Sequence, residues 1–147
     1  MDVKLTLGES YSFISSGFSS VDRAMRGGFP IGKLSLVAGR PKVGATSLLV
    51  ASFLHAIENG KKIMVISERL SEKQVRGRLV LLKAKVNAYR LQAGLATEED
   101  LNKIYRARMS IDWSHAKIIC DNRVDFPSVK GAIISFRPDI LFYDAMP

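Results

Sequence analysis

The stretch Gly39-Arg40-Pro41-Lys42-Val43-Gly44-Ala45-Thr46-Ser47 is the strongest constraint in the chain, because it separates an apolar run from a helical one. Residues 33–38, Lys-Leu-Ser-Leu-Val-Ala, read as a strand that ends at Gly39. Residues 46–58 carry Leu48, Leu49, Val50, Phe53, Leu54 and Ile57, apolar on nearly every side, and predict a buried helix stopped by Asn59-Gly60. A strand, a glycine-framed loop and a helix form the geometry in which backbone N–H groups turn inward around a phosphate.

Such a loop needs glycine at both ends, a lysine for the β/γ charge and a Ser or Thr for a magnesium ion. Gly39, Gly44 and Thr46 meet the pattern, and Ala45 stands at the lysine position. Two glycines and a threonine are common on their own; the strand-loop-helix context gives them meaning. The expected nucleotide-binding set is Gly39, Arg40, Pro41, Lys42, Gly44, Ala45, Thr46 and Ser47, with ATP and Mg as ligands. Thr46 and Asp144 would hold the metal, Asp144 at the tip of a later strand. The plainer reading of Asp144 is an exposed strand end.

Strand and helix alternate along the rest of the chain. Residues 62–66 form a second apolar strand. Ser71-Glu72-Lys73-Gln74 is a capping box, and Val75, Leu79, Leu82 and Val86 follow on one helical face. Thr97 opens another helix, with Leu101, Ile104 and Tyr105 inward and Glu98, Glu99 and Asp100 at the positive end of its dipole. Residues 117–120 form a short strand; Val129, Ala132, Ile133 and Phe136 mark a helix, and residues 139–143 a final strand. This alternation predicts an α/β fold with a mostly parallel sheet covered by helices. At 147 residues one domain is expected, with residues 1–13 as an N-terminal segment that is flexible or binds a partner.

The charge is uneven. Residues 61–90 hold nine basic and two acidic side chains, out of a net charge of +8 for the chain. Such a face favours polyanions, and Arg76, Lys83 and Lys85 are the candidate DNA contacts; a solvated helix face or a surface for an acidic partner fits the same charges. Cys120 is the sole cysteine, nothing approaches the roughly 20 apolar residues of a membrane span, and no signal peptide precedes the first strand, so a cytoplasmic location away from membranes is expected. His55 and His115 lack partners at metal-ligand spacing. Trp113 and Tyr89 are expected to pack in the core, and Cys120 to be an inert buried thiol.

Ser16-Gly17-Phe18-Ser19-Ser20-Val21-Asp22, Gly27-Gly28 and Gly39-Arg40-Pro41 together resemble the core of DnaB-type replicative helicases. Met64-Val65-Ile66-Ser67, Arg78-Leu79, Arg90-Leu91-Gln92-Ala93-Gly94 and the strand ending at Asp144 follow in that family's order. The resemblance implies a RecA-like P-loop ATPase core, C-terminally incomplete because the family's later strands, DNA-binding loops and arginine finger would follow Asp144. It also implies ATP and Mg as cofactors, and DNA, a helicase or replication protein, or further subunits as partners.

Two departures bear on activity. Ala45 removes the charge that neutralises the transferring phosphoryl group. The family's catalytic glutamate falls on Arg69, with Glu68 reachable only through a one-residue shift. Each loss costs on the order of hundreds-fold in rate. The expectation is a helicase-like protein of DNA replication or its control without normal ATP hydrolysis. The alternatives are an active ATPase fragment that uses Lys42, Glu68 or a neighbour's lysine, and an interaction module with a vestigial pocket. In the family, a strand later in the chain lies between the first strand and the one ending at Asp144. The slot between residues 34–38 and 140–143 is therefore expected to close up or to be completed by another segment, a partner or a second copy.

Overall fold

The computed structural model describes residues 12–40, 42–120 and 125–144. Most of the N-terminal segment, residues 1–11, and Pro41 of the predicted loop lie outside them.

The centre is a three-stranded parallel sheet in the order β4-β3-β5. Its middle strand β3 (Ile63–Ser67) is buried along its whole length, as an apolar run between two neighbours must be. Strand β4 (Ala116–Cys120) pairs with one edge, Val65 opposite Ile118, and β5 (Ile140–Asp144) with the other, Val65 opposite Phe142. A two-stranded antiparallel ribbon, β1 (Phe13–Ile14) with β2 (Phe29–Pro30), precedes the sheet. Between its strands runs α1 (Ser19–Ala24). Gly28, at φ 116°, closes the return, since a Cβ there would lie 2.3 Å from the Ile14 carbonyl oxygen.

Helix α2 (Ala45–Glu58) buries Val50, Phe53, Leu54 and Ile57 and ends at Asn59 with Gly60 left-handed, as the sequence predicts. Phe142 of β5 is the meeting point of the core. Its ring lies 4.4 Å from that of Phe53, and 6.1 Å edge-on from that of Phe29. Helix α3 (Glu72–Ala84) opens with the full Ser71/Gln74 capping box and packs against α2 and α5. The short α4 (Ala88–Gln92), α5 (Glu98–Ser110) and α6 (Phe126–Phe136) complete the described residues.

Several expectations change. Residues 33–38 form no strand: Leu34 and Leu36 are 95% and 87% exposed. A strand exists only through its neighbour, and among the described residues β5 pairs with β3 alone. Leu36 and Phe142 are therefore not on paired strands. Between them lies a groove of about 560 Å³ whose lining includes Ile14, Leu34, Leu36 and Phe142. The slot has neither closed up nor been filled by any described segment.

On α3, Leu82 is 44% exposed and Val80 takes the buried place beside Leu79. On α5, Leu101 and Tyr105 point to solvent, and the inward stripe is Asp100, Ile104, Ala107 and then Ile111. A charged residue can take that inward place because Asp100 is paired there: it accepts from the Thr97 amide at 3.1 Å and lies 3.4 Å from Arg90. Ile133 of α6 is also more open than expected, at 38%. Tyr89 is exposed, whereas Trp113 packs against the core as expected.

Candidate nucleotide site

The loop before α2 curls back on itself: the Val43 amide donates to the Arg40 carbonyl at 3.3 Å, and Lys42 adopts a left-handed φ of 67° with its side chain exposed. Gly44 is the N-cap of α2 at φ 102°, a conformation that suits glycine, and no side chain caps the helix. The first amides of α2 thus face the loop without a side-chain acceptor, the arrangement that receives an anion. Ala45 is the first residue of the helix and puts a methyl where a phosphate loop needs an ammonium. Gly39, Arg40 and Ser47 lie exposed around the same turn.

The sheet brings the remaining groups to this helix end. The Thr46 hydroxyl donates to Asp144 Oδ1 at 3.3 Å, and the Ser67 hydroxyl lies 3.5 Å from Oδ2. Asp144 is 8% exposed at the end of β5, and its carbonyl accepts from the Glu68 amide at 3.3 Å. Thr46 and Asp144 suit Mg²⁺, which takes one or two protein oxygens and draws its other ligands from phosphate and water. Among the described residues there is no cluster of three or more His, Cys, Asp or Glu side chains that would make a separate metal centre.

Glu68 and Arg69 part company at the strand end. Arg69 is exposed, its amide turned to the Ser67 hydroxyl at 3.3 Å. Glu68 is half-buried, and its carboxylate accepts a hydrogen bond from the Tyr143 phenol. That bond, with burial and the nearby negative charge, holds the phenol above its ordinary pKa. The pattern contained no sign of the Tyr143–Glu68 contact.

Sequence reasoning also missed how the opening segment is anchored. Asp22 accepts from the hydroxyls of Ser15 and Ser16, both at 2.6 Å, and from the Ser16 amide at 2.8 Å. The Ser52 hydroxyl of α2 donates to the Ser16 carbonyl at 2.7 Å, and Ser16 and Ser52 are almost wholly buried. Burial pushes the Asp22 carboxyl up, but these donors outweigh it and hold the group below its ordinary value. The only clue was a Ser-Ser pair six residues ahead of an Asp.

The basic trio is not one open patch. Arg76 bonds Glu72 at 2.8 Å and Lys83 bonds Glu58 at 2.6 Å, while Lys85 sits exposed and left-handed at the end of α3. Cys120 is half-buried, and burial raises its thiol pKa, in keeping with an inert group. His55 packs beneath Gly17, and His115 lies 3.9 Å from Asp112. No helix among the described residues is long and apolar enough to cross a membrane.

Residues 13–132 match the sequence model of the DnaB-like helicase C terminal domain. The chain is 34% identical over 119 residues to the replicative DNA helicase DnaB of Geobacillus stearothermophilus, and 32% identical over 119 residues to the replicative DNA helicase DnaC of Bacillus subtilis. Each match covers 80% of this chain but 25% of the relative, so the chain spans about a quarter of the length of these proteins. A solved ATPase domain superposes on 92% of the chain and 50% of its own with a TM-score of 0.76 at 21% identity, which supports the expected RecA-like fold.

Proposed function

Because the chain belongs to the family of DnaB-like helicase C-terminal domains, we propose that it is a helicase-like protein of DNA replication or its control that does not turn over ATP normally. The observation that carries this reading is Ala45 at the first turn of α2, beside a Thr46–Asp144 pair still within hydrogen-bond distance. A magnesium-nucleotide could be cradled there by backbone amides and the two oxygens. The charge that stabilises phosphoryl transfer would be missing. Its partners would be DNA, a helicase or replication protein, or further copies; a partner's strand alongside β5 would complete the sheet.

Phosphate release by the full chain, with ATP and Mg and with or without single-stranded DNA, tests the claim, and calorimetry of the same mixture reads binding separately. No release above background is expected. A turnover near ~1 s⁻¹, within the usual enzyme range, refutes it.

One contact favours a second reading. Tyr143 holds the Glu68 carboxylate at the same strand end as Asp144, where it could orient a water. An active enzyme of this kind would release phosphate and lose that activity in Glu68→Gln.

A further inference from the structure

The groove beside β5 combines an unmet strand edge with an apolar lining. One edge of β5 pairs with β3 along its whole length, and the other meets no strand among the described residues. Phe142 and Leu49 of α2 line the groove from the core side. Ile31, Leu34, Leu36 and Leu141 line it as well and are exposed. Folded chains cover a strand edge with this much apolar surface next to it.

The chain itself enters at the rim of this groove. Ser12 is the first described residue, and its carbonyl accepts from the Ile31 amide at 2.9 Å. Ile14 and Ile31 both line the groove, so whatever precedes Ser12 departs from its border. Residues 3–7 read Val-Lys-Leu-Thr-Leu, a strict alternation of apolar and polar side chains, three of the five branched at Cβ or polar enough for a half-buried strand. Gly8-Glu9-Ser10 follows with residues that favour a turn. The steps from Leu7 to Ser12 reach about 17 Å when extended. That matches the roughly 17 Å of a five-residue strand such as β5.

We propose that residues 3–7 of the same chain form the strand that fills this slot, hydrogen-bonded to the outer edge of β5. Val3, Leu5 and Leu7 then share one face, turned to Leu49 and Phe142, while Lys4 and Thr6 face away from the core. The tether favours this occupant over a second copy or a partner protein. A segment joined by a short linker acts at an effective concentration on the order of millimolar, and it avoids the freedom lost when two molecules associate. Five residues make a light seal, so another extended segment exchanges for it at high protein concentration. Nothing here depends on whether ATP is hydrolysed.

Hydrogen exchange of the purified full chain, read by mass spectrometry, tests the proposal. Amides of residues 3–7 should exchange at least ~10-fold more slowly than in the free peptide of that sequence, to the same extent in dilute and concentrated samples. Leu5→Asp sets a charge against the apolar lining. It should speed exchange of residues 34–38 and 140–144 by ~10-fold or more, with residues 63–67 unchanged as the sign of an intact fold. Lys4→Asp, on the other face, should leave all of these rates as they are. Free-peptide exchange at residues 3–7 overturns the proposal whatever the variants do. Protection that appears only on raising the concentration also overturns it, because a second copy is then the occupant. So does a folded Leu5→Asp protein with unchanged rates at residues 34–38 and 140–144, or one that behaves like Lys4→Asp.

Discussion

Thr46 and Asp144 are 98 residues apart in the chain, yet the Thr46 hydroxyl lies 3.3 Å from the Asp144 carboxylate. Helix α2 delivers one and β5 the other, with β3 between α2 and β5 in chain order and Ser67 supporting the carboxylate from its end. Under the proposed reading these two oxygens would hold the metal, while the position proposed for the loop lysine carries the methyl group of Ala45.

That asymmetry gives the first prediction. Ala45→Lys should strengthen magnesium-dependent ATP binding, seen as a calorimetric dissociation constant lowered by ~10-fold or more, the scale of a charge-assisted phosphate contact. Phosphate release should stay far below that of an intact enzyme, because Arg69 still stands at the counted glutamate position. Full turnover from this single change would show that the loop lysine alone was lacking.

A second prediction concerns DNA. The chain should bind single-stranded DNA without sequence preference and with steep salt dependence, and Arg76→Glu/Lys83→Glu/Lys85→Glu should weaken it. Since Arg76 and Lys83 already face carboxylates, Lys85→Glu should give the largest single loss. Each phosphate contact removed should lower the log–log salt slope by about 1. Equal binding by the triple variant would place DNA elsewhere.

Gly77 offers a test of stability. It lies within α3, and a Cβ built there meets nothing within 4 Å. Gly77→Ala should therefore stabilise the fold by about 1 kcal/mol through helix propensity alone. An unchanged or lower unfolding midpoint in urea refutes this.

Asp22 should make the fold sensitive to acid. Its carboxyl is held below the ordinary 3.8 in the folded state, so its contribution is full above that value and fades as pH falls through the lower, folded pKa. Asp22→Asn should cost about 1.5–3 kcal/mol at neutral pH, the range for hydrogen bonds to a charged group. It should also flatten the loss of stability below pH ~4. Urea melts of both proteins across that window check the two outcomes together.

Much of this was legible in the residues, because the clearest signals were local. The Ser71 capping box, the helix start at Thr97, the Asn59-Gly60 stop and the apolar run of β3 each predict their own geometry within a few positions. Ala45 could be placed by counting from Gly39, since a helix start fixes register. What was not legible depends on partners distant in sequence. The alternation of Leu34 and Leu36 suits a strand, but a strand forms only against a neighbour, and among the described residues none is there. The inward face of α5 was misjudged because Asp100, a charged residue, is drawn in by its bonds to Thr97 and Arg90. Ser15, Ser16, Asp22 and Ser52 form their knot through side-chain geometry that has no sequence period.

The edge of β5 that pairs with none of the described residues bears on how the protein behaves in bulk. Backbone donors and acceptors along Ile140–Asp144, with the greasy Leu34 and Leu36 beside them, make a templating seam on which another extended chain can crystallise strand by strand. Aggregation of the purified chain should begin there. Its onset should follow protein concentration rather than temperature, and a charge placed at Leu36 should delay clouding without moving the melting point.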